Sequence, residues 1–462
     1  MKRISAIAVV ALAASFSAPA HAIPSFARKY GTSCATCHTV YPKLTPFGEA
    51  FRRNSFRFPG VDSDYTKQEV IPLTPKEAGE ESTYGFNAIP PLSFGFNGSA
   101  VVHPDKNSSG GRADNGQTFL LSNLVAEGHL WAGGSFSDTL TYFGEVTFAS
   151  GGGISLEHAQ IFVSDLVGPK HAVNVRAGRG FSTLTSFGPH SSYLNDQIMP
   201  SSGVTALNGA GSTWNVFDHF NGIEVNGVIA GRFDYSAGLN AGSSFDTRNS
   251  ENFYGHIGTK IGGLRLDGEG AGKINDAMRP WEERAITLDA WVYRSVNSAD
   301  FPNPDTTMTT PLVLLDSATA VGGNARAQFD SLELNGGVYL EKHNHAAVDA
   351  TGNGTGATLI APYAELSYLV QPWFVPAVRL EYTSLKPDGG DSIHNWRLMP
   401  GIAAAVRPNI KLTLVADLES SNGTPPNGWG AVGGIASPGP TATDATVALE
   451  LESLTLGAAF AF

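Results

Sequence analysis

Five consecutive residues near the start of the chain carry its clearest chemistry: Cys34-Ala35-Thr36-Cys37-His38. Cys34 and Cys37 are the only 2 cysteines among 462 residues. A disulfide across so short a spacing closes a very small, strained loop. A zinc site needs two further ligands, and residues 39–102 contain neither Cys nor His. C-x-x-C-H is the attachment pattern of a c-type haem, with chance or purely redox uses of the pair as the remaining readings. In that chemistry both thiols add to the haem vinyl groups, and the adjacent imidazole is held against the iron. Cys34 and Cys37 are therefore expected as covalent tethers of one haem c and His38 as its axial ligand. The chemistry is one-electron transfer, tuned by ligation, burial and hydrogen bonding.

The sixth ligand is open, because residues 39–102 also lack Met. It must come from elsewhere in the chain, from water, or from a less usual donor such as Lys43. The candidates are Met199, Met278, Met308, Met399, His190, His219 and His394. For each of them, a packing Met or an ordinary polar His is the commoner outcome. Met399 is the pick of the set because it falls on an expected strand with one face to a lumen. Arg28, Lys29, Arg52 and Arg53 can pair with haem propionates, with lumen carboxylates, or with water. A long connection at 181–220 gathers His190, Asp196, Met199, Asp218 and His219, donors suited to a weak iron(II) site, although such loops usually only close over a barrel mouth. His343-Asn344-His345 is a weaker candidate. Gly268 to Lys273 has the wrong spacing for a phosphate loop, Gly352 to Gly356 reads as a hairpin loop, and no Ser/His/Asp constellation is legible.

The elements that must position these residues follow from pattern. Lys2 and Arg3, the apolar run Ile4–Phe16 and Ala20-His21-Ala22 make residues 1–22 a signal peptide, too short to serve as a membrane anchor. Residues 23–60 form a monohaem segment. Within it Leu44–Phe58 reads as a helix, with Thr45 as N-cap and Pro46 at the first position. Phe47, Phe51 and Phe58 are placed against the porphyrin or in ordinary core. Residues 61–91, rich in Pro, Glu and Lys, read as a linker or lumen-crossing segment.

From residue 92 the period becomes two. Leu140, Tyr142, Gly144, Val146 and Phe148 alternate with Thr139, Thr141, Phe143, Glu145 and Thr147, and 233–240 and 410–419 behave alike. Alternation with charge on the second face suits strands between lipid and a wet lumen, although a soluble sandwich alternates too. Strands fall near 92–103, 118–132, 138–149, 154–166, 171–180, 221–229, 232–241, 252–270, 285–296, 322–331, 333–343, 358–370, 374–386, 394–406, 410–419 and 444–462, about sixteen, an even number as bacterial barrels require. Long connections then fall on one side and short ones on the other, with 271–284 a longish exception on the short side. The fold class is thus mainly β: a small helical haem segment, then an outer-membrane barrel over 92–462 of about sixteen antiparallel strands, its lumen plugged by that segment. Ser453 breaks the phase of the last strand, so a bulge is expected there. The net charge of −12 argues against nucleic acid as a partner.

Signal peptide, C-x-x-C-H segment and barrel together resemble the fused monohaem cytochrome–porin family, known for outer-membrane iron(II)-oxidising cytochromes. The likeness is carried by Phe26-Ala27-Arg28-Lys29-Tyr30-Gly31, by Cys34 to His38, by Pro42-Lys43-Leu44 and by Phe47-Gly48-Glu49-Ala50-Phe51. It implies electron transfer from extracellular Fe(II) through a His38-ligated haem to a periplasmic carrier such as a c-type cytochrome, in contact with outer-membrane lipid. Outward electron flow, a solute channel with a redox-sensing haem plug, and a periplasmic haem enzyme such as a peroxidase are the competing readings.

Overall fold

The computed structural model describes residues 25–59, 66, 70–72, 85–87, 92–103, 118–120, 126–188, 190–194, 219–240, 252–271, 282–301, 303, 307–308, 310, 312–348, 351–422 and 449–461. The signal-peptide assignment, and most of the linker at 61–91, lie outside them. Among its described residues, Val70–Pro72 and Gly85–Asn87 pair as a short antiparallel ladder.

Sixteen antiparallel strands close into a barrel. They are β1 Leu92–His103, β2 Thr118–Leu120 and Glu127–Ser135, β3 Leu140–Ala149, β4 Ile154–Val163, β5 Asn174–Phe181, β6 His219–Ile229, β7 Phe233–Asn240 and β8 Asn252–Gly262. The second half comprises β9 Glu283–Phe301, β10 Leu312–Asp330, β11 Leu332–Val348, β12 Gly354–Tyr368, β13 Phe374–Pro387, β14 Ile393–Arg407, β15 Ile410–Asn422 and β16 Glu450–Ala461. The two pieces of β2 both pair with β1, at Val101–His103 and at Leu92–Asn97, and so form one interrupted strand. Leu454 opposite Val102 closes the ring, so that among the described residues the barrel has no free edge.

Burial is inverted relative to a soluble sandwich. Ile154, Leu239 and Ile257 stand 71%, 68% and 67% exposed, whereas Arg379, Glu381, Glu224 and Glu365 are almost completely enclosed in the lumen. An apolar exterior around a charged interior is the signature of a membrane barrel. Among the described residues no helix is long and apolar enough to cross a membrane.

Strand order and the sidedness of the loops agree with the sequence pattern, and the differences have local causes. The expected strand 252–270 stops at Gly262, because Gly262 and Gly263 take positive φ (77° and 55°) and turn the chain. The long connection on the short-turn side thus begins at 263. β10 starts at Leu312, ahead of the expected 322, since Ala318 and Ala320 face inward and disguise the alternation. The bulge in β16 lies at Glu452, one residue from the expected Ser453: Asp417 pairs with Ser453 and Leu418 with Leu451.

The N-terminal segment sits inside the short-turn mouth. Helix α1 spans Ser25–Tyr30 and α2 Pro46–Arg53. Thr45 caps α2 as expected, accepting from the Gly48 N–H at 3.1 Å. The helix ends at Arg53, not Phe58, because Ser55 and Phe56 adopt φ near 60° and fold Phe56 and Phe58 back onto the aromatic cluster.

Candidate functional site

Cys34–Thr36 form one turn of 3-10 helix, in which the Cys37 N–H donates to the Cys34 carbonyl at 3.2 Å. Both thiols are free, and with His38 they line one large cavity of about 810 Å³ inside the barrel. That volume lies within the range of cofactor sites. Burial and the neighbouring Cys34 push the Cys37 thiol up to about 12. Among the described residues no three His, Cys, Asp or Glu side chains form a ready metal group.

Helix α2 clamps this turn from behind. The Thr45 hydroxyl donates to the Thr36 carbonyl at 2.8 Å, and the Thr45 N–H to the Cys37 carbonyl at 2.9 Å. Gly48 lies so close that a Cβ there would stand 2.1 Å from the Cys37 carbonyl oxygen. His38 Nδ1 donates to the Pro42 carbonyl at 3.3 Å, which leaves Nε2 as the lone-pair nitrogen. Burial pushes the imidazole down to about 4, so it is neutral near pH 7, the ligating form. A ligating histidine anchored by a carbonyl on its other nitrogen is the usual way a ring is oriented toward a metal.

Aromatic side chains enclose the cavity. Tyr30 stacks on Phe58 at 4.0 Å, Phe26 on Phe56 at 5.5 Å, and Phe56 on Phe143 of β3 at 4.8 Å. Phe51 lines the cavity, whereas Phe47 packs behind it against Phe51 and Tyr30. Sequence reading missed Phe26, Tyr30, Phe56 and Phe143. Their only local signal was aromatic density in residues 26–58, and Phe143 carried none.

The cationic candidates separate clearly. Lys29 donates to the Tyr30 and Ser135 hydroxyls at 2.9 and 2.7 Å, Arg28 to the Leu92 carbonyl, and Arg53 to Asp234 at 3.2 Å. Arg52 faces the cavity with no carboxylate paired to it among the described residues. Burial and the nearby Arg176 push its guanidinium down to about 10, so an anion placed beside it would relieve a real cost. An apolar-walled cavity with two thiols, an oriented imidazole and one unpaired guanidinium suits a covalently attached, propionate-bearing haem.

The sixth-ligand candidates are mostly spoken for. Met399 points inward from β14 but is packed against Leu194, Ala377 and Val415 and does not line the cavity. The Lys43 ammonium donates to the Ser191 carbonyl at 2.6 Å and to Glu333 at 2.7 Å, which occupies the nitrogen a metal would need. Met308 is exposed, and His394 Nδ1 is bonded to the Tyr382 hydroxyl. His190 and His219 line the cavity. His190 Nδ1, however, donates at 3.2 Å to the same Pro42 carbonyl as His38. Met199 and Met278, with Asp196 and Asp218 of the suggested loop site, lie outside the described residues. His343 is enclosed between Asp316 and Glu341 at 2.6 Å each and is no open metal site.

The inward fold of residues 182–188 and 190–194 completes the enclosure. The Leu44 N–H donates to the His190 carbonyl at 2.9 Å, and Lys43 lies 4.8 Å over the Tyr193 ring. Below, the Tyr41 N–H reaches the Pro408 carbonyl at 3.0 Å, and Asn54 donates to the Asp267 carbonyl at 2.6 Å. The connection that starts at 263 therefore has a use: Leu264 and Ala271 pack on the Tyr30, Phe47 and Phe51 cluster.

Fold and burial together define a porin-like β-barrel of the bacterial outer membrane. Solved structures agree on that architecture. The chain is similar to OmpT of Vibrio cholerae (TM-score 0.50, 13% identity, 80% of this chain and 97% of that one) and to an anion-selective porin of Comamonas acidovorans (0.51, 14%, 80% and 98%). No protein-family model and no curated protein matches the sequence.

Proposed function

We propose that the chain is an outer-membrane monohaem cytochrome–porin that moves electrons one at a time, from extracellular Fe(II) to a periplasmic carrier such as a c-type cytochrome. The observation that carries this reading is the opening of Cys34, Cys37 and His38 together into one cavity enclosed by the barrel. Bound there, the haem would supply a one-electron centre. The chain's own residues do the rest. Cys34 and Cys37 tether it, Pro42 orients His38, Arg52 offers a charge for a propionate, and the aromatic wall excludes water.

An anaerobic optical titration of the oxidised holo-protein with Fe(II), with Cys37→Ala as control, tests it. Haem reduction at a rate that supports turnover is the expected result. No reduction by Fe(II), but ready reduction by a periplasmic cytochrome, overturns the direction and leaves outward flow to an extracellular acceptor.

A second reading is favoured by the likeness to porins: a solute channel whose haem segment is a redox-sensing plug. It requires an ion conductance through the holo-protein that changes with haem redox state. A silent pore in both states rejects it.

A further inference from the structure

Three imidazoles and two carboxylates crowd one patch of the lumen wall, on β2 to β6, and none of them takes part in the tethering at Cys34 and Cys37. Glu145 of β3 stands between two of the rings, 2.9 Å from His129 Nδ1 and 3.6 Å from His158 Nε2. Glu157 lies 3.0 Å from His219 Nδ1, and the His158 and His219 rings meet edge to face at 4.8 Å. A bulge makes the grouping possible. Glu145 pairs with His158 and Val146 with Leu156, so Glu157 is the extra residue. Consecutive side chains on a regular strand take opposite faces, yet Glu157 and His158 both line the cavity.

His158 is 6% exposed, and its Nδ1 has no hydrogen-bond partner. A buried ring nitrogen left in that state is a cost that a ligand can remove. Imidazole and carboxylate donors without a thiolate suit a borderline divalent transition cation. Among the described residues no three donors yet share one coordination shell, because the Glu145 carboxylate is held on His129 and the Glu157 carboxylate on His219. A cation must therefore draw them together.

A file of rings leads from this patch to the tethering turn. His129 stacks on Trp131 at 5.3 Å, only 4° from parallel. Trp131 meets Tyr41 at 5.9 Å, and Tyr41 meets His38 at 5.7 Å. Tyr41 is bonded to the short turn at Pro408, while His219 opens β6 at the long-loop end. The patch thus lies on the outer side of the file.

The geometry points to a binding site for a divalent transition cation, Fe(II) in particular, formed by His129, Glu145, Glu157, His158 and His219 and joined through Trp131 and Tyr41 to His38. It rests on the electron-transfer reading above. Fe(II) held there loses one electron and leaves as Fe(III), and the electron's acceptor is the ferric c-type haem.

Binding and transfer are measured separately. Holo-protein with its haem already reduced is dialysed to equilibrium against Fe(II) without oxygen, with intact barrel migration and haem content as controls. One Fe(II) per chain is expected, with at least tenfold weaker binding in both Glu145→Gln and His158→Leu. No binding by the wild type, or unchanged binding in folded Glu145→Gln, overturns the site. In oxidised holo-protein, Trp131→Leu is expected to leave Fe(II) binding unchanged and slow haem reduction at least tenfold. Reduction at the wild-type rate overturns the ring file. Wild-type protein that binds Fe(II) but never passes the electron on supports the site and rejects the donor reading.

Discussion

At the residue scale, the Cys34–His38 turn depends on contacts too short to tolerate change. Gly48 faces the Cys37 carbonyl at a distance no Cβ can share. Gly48→Ala must push α2 away from the turn, at a cost of about 1–3 kcal/mol typical of overpacking. The expected outcome is a lower yield of covalently attached haem at unchanged barrel yield, read by haem stain against heat-shifted electrophoretic migration. Lys43 makes a different kind of contact, with its ammonium enclosed between Ser191 and Glu333. Lys43→Met strips Glu333 of one of its two cations and leaves Arg326 at 2.9 Å as the other. Leaving a buried charge uncompensated costs about 3 kcal/mol or more, and the cost here is smaller because Arg326 stays beside Glu333. The N-terminal segment of that variant should be cut by protease at concentrations that spare the wild type.

At the element scale, the N-terminal segment and the inward fold at 182–188 and 190–194 are held together by groups whose charge states set a pH dependence. Burial, then Arg52, hold His190 down to about 3 against an ordinary 6.5. The docked fold therefore binds fewer protons than the released one between those values. Its docking is strongest above pH 6.5 and is lost as the pH falls toward 3. Burial alone would raise the Glu49 carboxyl, but Arg326 and Arg53 outweigh it and hold it at about 2. That contribution is complete above pH 4.5 and is lost as the pH falls through about 2. Hydrogen exchange of 182–194, corrected for the intrinsic rate, should thus rise on acidification before that of α2. Simultaneous loss of both would reject this account.

At the scale of the whole molecule, a sixteen-strand barrel is wide enough for an aqueous channel, and the N-terminal segment lies across it. The barrel's own hydrogen bonds close without that segment, since β16 pairs with β1. Deletion of residues 23–60 should therefore leave a folded barrel with porin-like single-channel conductance, while the full chain conducts little. Equal conductance in planar bilayers would show that the segment does not seal the pore.

The barrel, its strand number and its sidedness were legible in the sequence because period-two alternation and turn chemistry are local properties that every strand repeats. The C-x-x-C-H turn and the Thr45 cap were legible for the same reason: their residues are neighbours in the chain. Where local signals were weak, the reading slipped. Small inward residues such as Ala318 and Ala320 hid the start of β10, and the positive φ at Ser55 and Phe56 shortened α2. Only the tertiary structure decided what the segment docks against, because Lys43 meets Glu333 across 290 positions of sequence. It also decided the fate of the other ligand candidates. Met399 is covered by Leu194, His190 is turned to the carbonyl that orients His38, and the His129, His158 and His219 patch is assembled from three strands. Closing a sheet into a ring brings distant strands face to face across a lumen, and no periodicity along the chain records which residues will meet there.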